Sequence, residues 1–196
     1  MTSISFEEAI ELSSKLLAHI ERGELETASA PEHIAEIVKE APGARGFLVA
    51  YLTGDSRIAE ENPQYILSGL AKSELIVSDL ITRNIVMSSA AAVEHRRNAN
   101  QPLFDGSKKV ARRSLCLAKV LASKRLKGCL TQMQEAIRHE LSGEQRDKVS
   151  DKAEAAQSNA DKSSHDYVSF LKRWNYDREQ LAAAEEAIVT ALELTS

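Results

Sequence analysis

Between Leu75 and Arg97 the chain carries a segment that is apolar on more than one side of a helix. At about 100° per residue, Ile76, Val77, Leu80, Ile81, Met87 and Ala91 share one face, while Leu75, Ile85, Val86 and Val93 fall on others. A helix with a single apolar stripe can lie on a surface. One that is apolar on several sides has to be covered from several directions, so this segment belongs at the centre of a bundle, and the rest of the chain must supply its covers.

The rest is suited to the task. Eight Gly and four Pro in 196 residues leave few turn signals, and Ala, Leu, Glu, Lys and Ile dominate long stretches. The expected class is all-α, a multi-helix bundle. A first helix starts at Ser5, where "SFEE" sets Ser5 three residues before Glu8 in a capping box, and Gly23 stops it. "SAPE" with Ser29 as cap starts a second, "APG" at Ala41 to Gly43 ends it, and residues 44 to 53 read as a short buried helix. "NP" at Asn62 and Pro63 opens another, and Ser73 caps the central segment. "PEHIAEIVKEA" from Pro31 and "PQYILSGLAKS" from Pro63 align, each followed by a second apolar helix, the pattern of two stacked helical hairpins.

Residues 98 to 107 read as a polar loop, followed by one helix from about Lys108 to Leu141, bent at Gly128. From Ser142 to Asp166 the only large aliphatic residue is Val149, too little apolar surface to offset the entropy of ordering, so 142–166 reads as a polar helical or flexible connector. Tyr167, Phe170, Leu171 and Trp174, then "DREQ" and the stripe Leu181, Ile188 and Leu192, make a C-terminal helical pair. The organisation is therefore a main helical domain over 1–141, the connector, and a segment 167–196 that packs on the main domain or on a partner.

Charge is unevenly spread in a chain of formal net charge −4. The stretch Lys108 to Lys127 holds eight Lys and Arg and no acid, whereas residues 1 to 64 carry five basic residues against twelve acids and 128 to 196 eight against thirteen. On a wheel Val110, Ser114, Leu117, Ala118 and Leu121 share one face, with Lys108, Lys109, Arg112, Arg113 and Lys119 on the other. Like charges at i,i+4, Lys108 with Arg112 and Lys109 with Arg113, cost a few tenths of a kcal/mol per pair, so something negative belongs nearby. The acidic segments can supply it within one protomer or across a dimer. A nucleic acid is the alternative counter-ion, but the pI is about 5.8 and only Phe104 is aromatic between Glu94 and Lys127, against the interleaving that single-strand binders use.

The candidate anion or partner-binding residues are Arg96, Arg97, Lys108, Lys109, Arg112 and Arg113. Asn84 and His95 are candidate buried polar positions on the central helix, Asn84 as a group that fixes helix register. "EHRRN" from Glu94 to Asn98, with Arg45 and Arg83 nearby, could form an anion pocket, while Asp79 at i−4 is the simpler partner for Arg83. An enzyme built on Glu94, His95 and Arg83 is the least supported reading: HExxH, GxSxG, a phosphate loop and a Gly-rich dinucleotide loop are all missing, and no Glu stands three residues before a His. Two cysteines, Cys116 and Cys129, without CxxC spacing point to packed thiols, so no metal and no cofactor is expected. The longest apolar run, "FLVAYL", is too short to span a bilayer, and the acidic N-terminus does not resemble a signal or transit peptide, so a cytoplasmic location is expected. The leading expectation is a non-catalytic interaction protein, a scaffold, adaptor or assembly factor with a protein partner or self-association, and the alternative is a binder of nucleic acid or a phosphorylated ligand.

Overall fold

A computed structural model describes residues 4–143 and 166–196. Among the described residues there are ten helices and no strand: α1 (Phe6–Glu21), α2 (Ala30–Ile37), α3 (Ala41–Thr53), α4 (Ile58–Glu61), α5 (Gln64–Ala71), α6 (Glu74–Arg97), α7 (Gln101–Leu121), α8 (Lys124–Gly143), α9 (Tyr167–Trp174) and α10 (Arg178–Leu194). The protein is an all-helical packed bundle. The expected connector 142–166 lies outside the described residues except at its ends.

α6 is the central helix. It packs most extensively on α7, then on α10 and α8, and Val77, Ile81, Ile85, Val86, Ala90 and Val93 are buried along it. By length and composition α6 could cross a membrane, which the short run "FLVAYL" could not, yet more than half of its apolar stretch is buried inside the protein. Neighbours on three sides account for its apolar character. Two of its buried hydroxyls are satisfied within the helix: Thr82 Oγ1 donates to the Ser78 carbonyl at 2.9 Å, and Ser88 Oγ to the Asn84 carbonyl.

A second centre is α3, buried at Phe47, Leu48, Tyr51 and Leu52 and paired with α1. Their close approach requires Gly46, because a Cβ there would sit 2.5 Å from Ala9 Cβ and 2.8 Å from the Phe6 carbonyl oxygen. The segments that align in sequence, now α2 and α5, pack on each other, with Gly69 against Ile34.

The expected capping box at Ser5 is present, Gly23 ends α1 with φ +68°, and "DREQ" opens α10 with a second capping box at Asp177. Other boundaries differ. "APG" starts α3 rather than ending α2, with Pro42 in the first turn where its missing N–H costs nothing. Ser29 and Ser73 occupy N-cap positions without capping through their side chains, and the Ser29 hydroxyl donates to the Glu26 carbonyl instead. The loop expected at 98 to 107 is mostly helix: Ala99 turns left-handed (φ 52°), its N–H and that of Asn100 bond the Arg96 and His95 carbonyls, and Asn100 then caps α7 by accepting from the Leu103 N–H. The long basic helix is two helices. Ala122 adopts φ 33° and Ser123 Oγ accepts from the Leu126 N–H, so the chain breaks there and runs helical through Gly128. A serine able to cap a new helix decides the break, and the glycine does not.

Candidate interaction surface

The cationic candidates sort by the side of α7 they occupy. Arg113, placed on the wet face by the wheel, is 3% exposed. Its guanidinium donates to the carbonyls of Leu52 (3.1 Å) and Gly54 (2.7 Å) at the C-terminal end of α3, to the Ser56 carbonyl (3.1 Å), and through Nε to Glu60 (2.9 Å). The end of a helix leaves carbonyls without intrahelical partners, and a cation aimed at them meets both their hydrogen-bonding need and the negative end of the helix dipole. The wheel misplaces Arg113 because what covers that side is polar backbone.

Two neighbours work on the same end. Lys109 donates to the Thr53 carbonyl at 3.2 Å and pairs with Asp55 at 3.1 Å, and Arg112 reaches Glu60 at 2.9 Å. Hydrogen bonding from Arg113 holds the Glu60 carboxyl below its ordinary range. The last turn of α6 is neutralised likewise. Arg96 pairs with Glu179, and Arg97 with both Asp177 and Glu179, so the cations at the C-terminus of one helix meet the acids in the first turn of another. Those bonds from Arg97 lower Asp177 to about 2. Acids of the N-terminal and C-terminal segments thus supply counter-ions for five of the six candidate cations inside one protomer.

Lys108 is the exception. Among the described residues it makes no ion pair, and neither do Lys119, Lys124 and Lys127. Lys108 and Lys119 stand over an open groove of about 910 Å³ between α7 and α10, with α6 as its floor. Ser89, Ala92 and Val93 of α6, Leu115 of α7, and Ala183 and Ala187 of α10 line it. Leu194 and the exposed thiol of Cys116 stand at its edge. The signal for this groove is a second stripe on α7, Phe104, Lys108, Leu115 and Lys119, hidden in the sequence because two of its members are lysines.

The polar candidates on α6 do not converge. Asn84 and His95 are half-buried, and Glu94 is held by Asn98 at 2.9 Å. Arg83 does take Asp79 at 2.9 Å, and its guanidinium also stacks on the rings of Tyr167 (5.3 Å) and Phe170 (4.7 Å), which seats α9. Arg45 lies over Phe6 at 5.4 Å. Neither arginine joins Arg96 and Arg97, so the pocket envisaged at "EHRRN" is not assembled. Cys129 is buried and its thiol pushed up by that burial. Among the described residues no group of three or more His, Cys, Asp and Glu is placed to hold a metal ion.

No curated protein and no solved structure matches the chain. Residues 5–147, which take in α1 to α8, match the family described as Uncharacterised conserved protein UCP020893. That stretch is well over half of the 196 residues, and the chain belongs to this family.

Proposed function

We propose that this chain is a non-catalytic helical interaction protein, a scaffold, adaptor or assembly factor that works through protein contacts. The observation that carries the reading is the groove between α7 and α10. It is open to solvent, floored by small and aliphatic side chains, and edged by charges, the make-up of a surface that receives another polypeptide. The internal neutralisation of Arg96, Arg97, Lys109, Arg112 and Arg113 supports it as well, since it takes from the polyanion alternative most of the cations that alternative needs.

The test is reconstitution. The chain is used as bait, candidate partners are purified, and complex mass is measured by light scattering beside the mass of the chain alone. A complex or a concentration-dependent dimer is expected. A strict monomer that retains no purified protein sinks the reading.

The alternative, a binder of nucleic acid or of a phosphorylated ligand, is favoured by one observation, the lysines at 108, 119, 124 and 127, which make no ion pair among the described residues. It requires fluorescence anisotropy to show an oligonucleotide bound tightly at low salt, with affinity falling steeply as salt is added and on Arg112→Glu. No binding at low salt removes it.

A further inference from the structure

The groove has three helical walls and lacks a fourth. Each wall meets it with helical periodicity: Ser89, Ala92 and Val93 on α6, Phe104, Lys108, Leu115 and Lys119 on α7, and Ala183, Ala187, Thr190 and Leu194 on α10. From Phe104 to Lys119 the lining extends over four turns, about 22 Å at 1.5 Å per residue. A trough of that length between two helices, floored by a third, is the shape left when one helix is taken out of a four-helix bundle.

Charge selects what kind of helix fits. Five basic side chains, Arg96, Lys108, Lys109, Arg112 and Lys119, border the trough against two acids, Asp105 and Glu186; Arg96, Lys109 and Arg112 already pair with Glu179, Asp55 and Glu60, which leaves Lys108 and Lys119 as the cations a bound helix meets. Among the described residues Lys108 and Lys119 make no ion pair, and both are exposed in its lining, where a bound helix would place its flanking residues. A second copy of the chain is a poor occupant. Its own acidic amphipathic helices, α1 and α10, already bury their apolar sides at Leu17 and Ile20 and at Leu181 and Ile188. A nucleic acid is poor too, since the lining offers one half-buried aromatic ring and two carboxylates.

Resting on the interaction reading above, we propose that the α6–α7–α10 groove docks an amphipathic helix of another protein, about four turns long, with an aliphatic stripe toward Val93 and Leu115 and acidic flanks toward Lys108 and Lys119. Recognition combines apolar burial along the floor with charge at the edge. The charge sets the partner's sign and register more than its affinity.

Cys116 makes the site readable. It is exposed at the edge of the groove while Cys129 is buried, so a thiol reagent applied to the folded chain reports the groove alone. The probe is a designed peptide of about 16 residues with Leu at i, i+3, i+4 and i+7 and Glu on both flanks. Controls are the same peptide with the Leu positions permuted, its Lys-flanked counterpart, and a single-stranded oligonucleotide. The expected result is a drop of about tenfold or more in the reaction rate of Cys116 with saturating acidic peptide and none with the controls. Lys108→Glu with Lys119→Glu, both surface positions, should weaken the peptide about tenfold, or about 1.4 kcal/mol, with an unchanged melting temperature.

Any of four outcomes overturns the proposal: no protection by the acidic peptide, equal protection by the permuted one, protection by the oligonucleotide, or a thiol that becomes less reactive simply as the chain is concentrated. A purified partner that binds wild type and the double variant equally, leaving Cys116 reactive, overturns the groove and leaves the interaction reading standing. A chain that binds neither peptide nor protein loses both.

Discussion

The two sides of α7 treat the same residue types differently. Toward α3 and α4, Lys109, Arg112 and Arg113 are spent on carbonyls and carboxylates of the protein itself. Toward α10, Lys108 and Lys119 make no ion pair among the described residues. The first side is where one helix ends against the flank of another, so unsatisfied carbonyls collect there and draw cations in. The second runs alongside the flank of α10, which presents Ala183, Glu186, Ala187, Thr190 and Leu194, and a helix flank keeps its carbonyls bonded within the helix. Whether a basic helix is structural or available is therefore decided by what lies opposite, a helix end or a helix side.

The sharpest test of the contrast is Arg113→Ala. It strands the Leu52, Gly54 and Ser56 carbonyls and should cost about 2–4 kcal/mol, a fall in Tm of roughly 5–15 °C by thermal melt. If the melt hardly moves, the end of α3 does not need its cation and the comparison collapses.

Acid should dissolve the paired side next. The folded-state pKa values of Glu60 and Asp177 are both depressed, so each contributes stability that is complete above the ordinary carboxylate range of about 4 and is lost as pH falls through the folded value. For Asp177 that window runs from about 4 down to about 2. Urea midpoints should decline across it, and Asp177→Asn with Glu60→Gln should flatten the decline. An unchanged slope in the double variant would place acid sensitivity elsewhere.

A smaller effect of opposite sign is expected at the corner between α6 and α7. Ala99→Gly relieves a left-handed alanine and should raise stability by about 0.5–1 kcal/mol, after allowing for the greater freedom of glycine in the unfolded chain. Smallest of all, Lys108→Ala with Lys119→Ala should leave stability within about 0.5 kcal/mol of wild type, since these side chains anchor nothing. A large loss there would mean the second side of α7 is structural as well.

Much of this arrangement was legible in the sequence. The centrality of α6 follows from apolar residues on several faces, and the capping box at Ser5 and the "DREQ" start mark the beginnings of α1 and α10 correctly. The corners at Ala99 and Ala122 were not legible, because alanine favours helix and nothing local announces a left-handed turn. Only the caps that follow, Asn100 and Ser123, could have located them. Arg113 was misassigned for a physical reason. A helical wheel assumes that the interior is apolar, whereas the interior opposite Arg113 is the carbonyl end of α3. The groove escaped notice because it is made by three segments far apart in the chain, each with a stripe too mixed to stand out.

The corner at Ala99 and Asn100 also bears on the order of assembly. It joins the most extensively packed pair in the protein through a very short connection, so closing α6 onto α7 costs little chain entropy. α10 must come back across a separation of 83 residues to set Glu179 on Arg96. The α6–α7 pair should therefore form first, and on the ribosome it would wait with the oily flank of α6 uncovered until α10 has been made, an interval in which a chaperone would find a binding site that the folded bundle no longer shows.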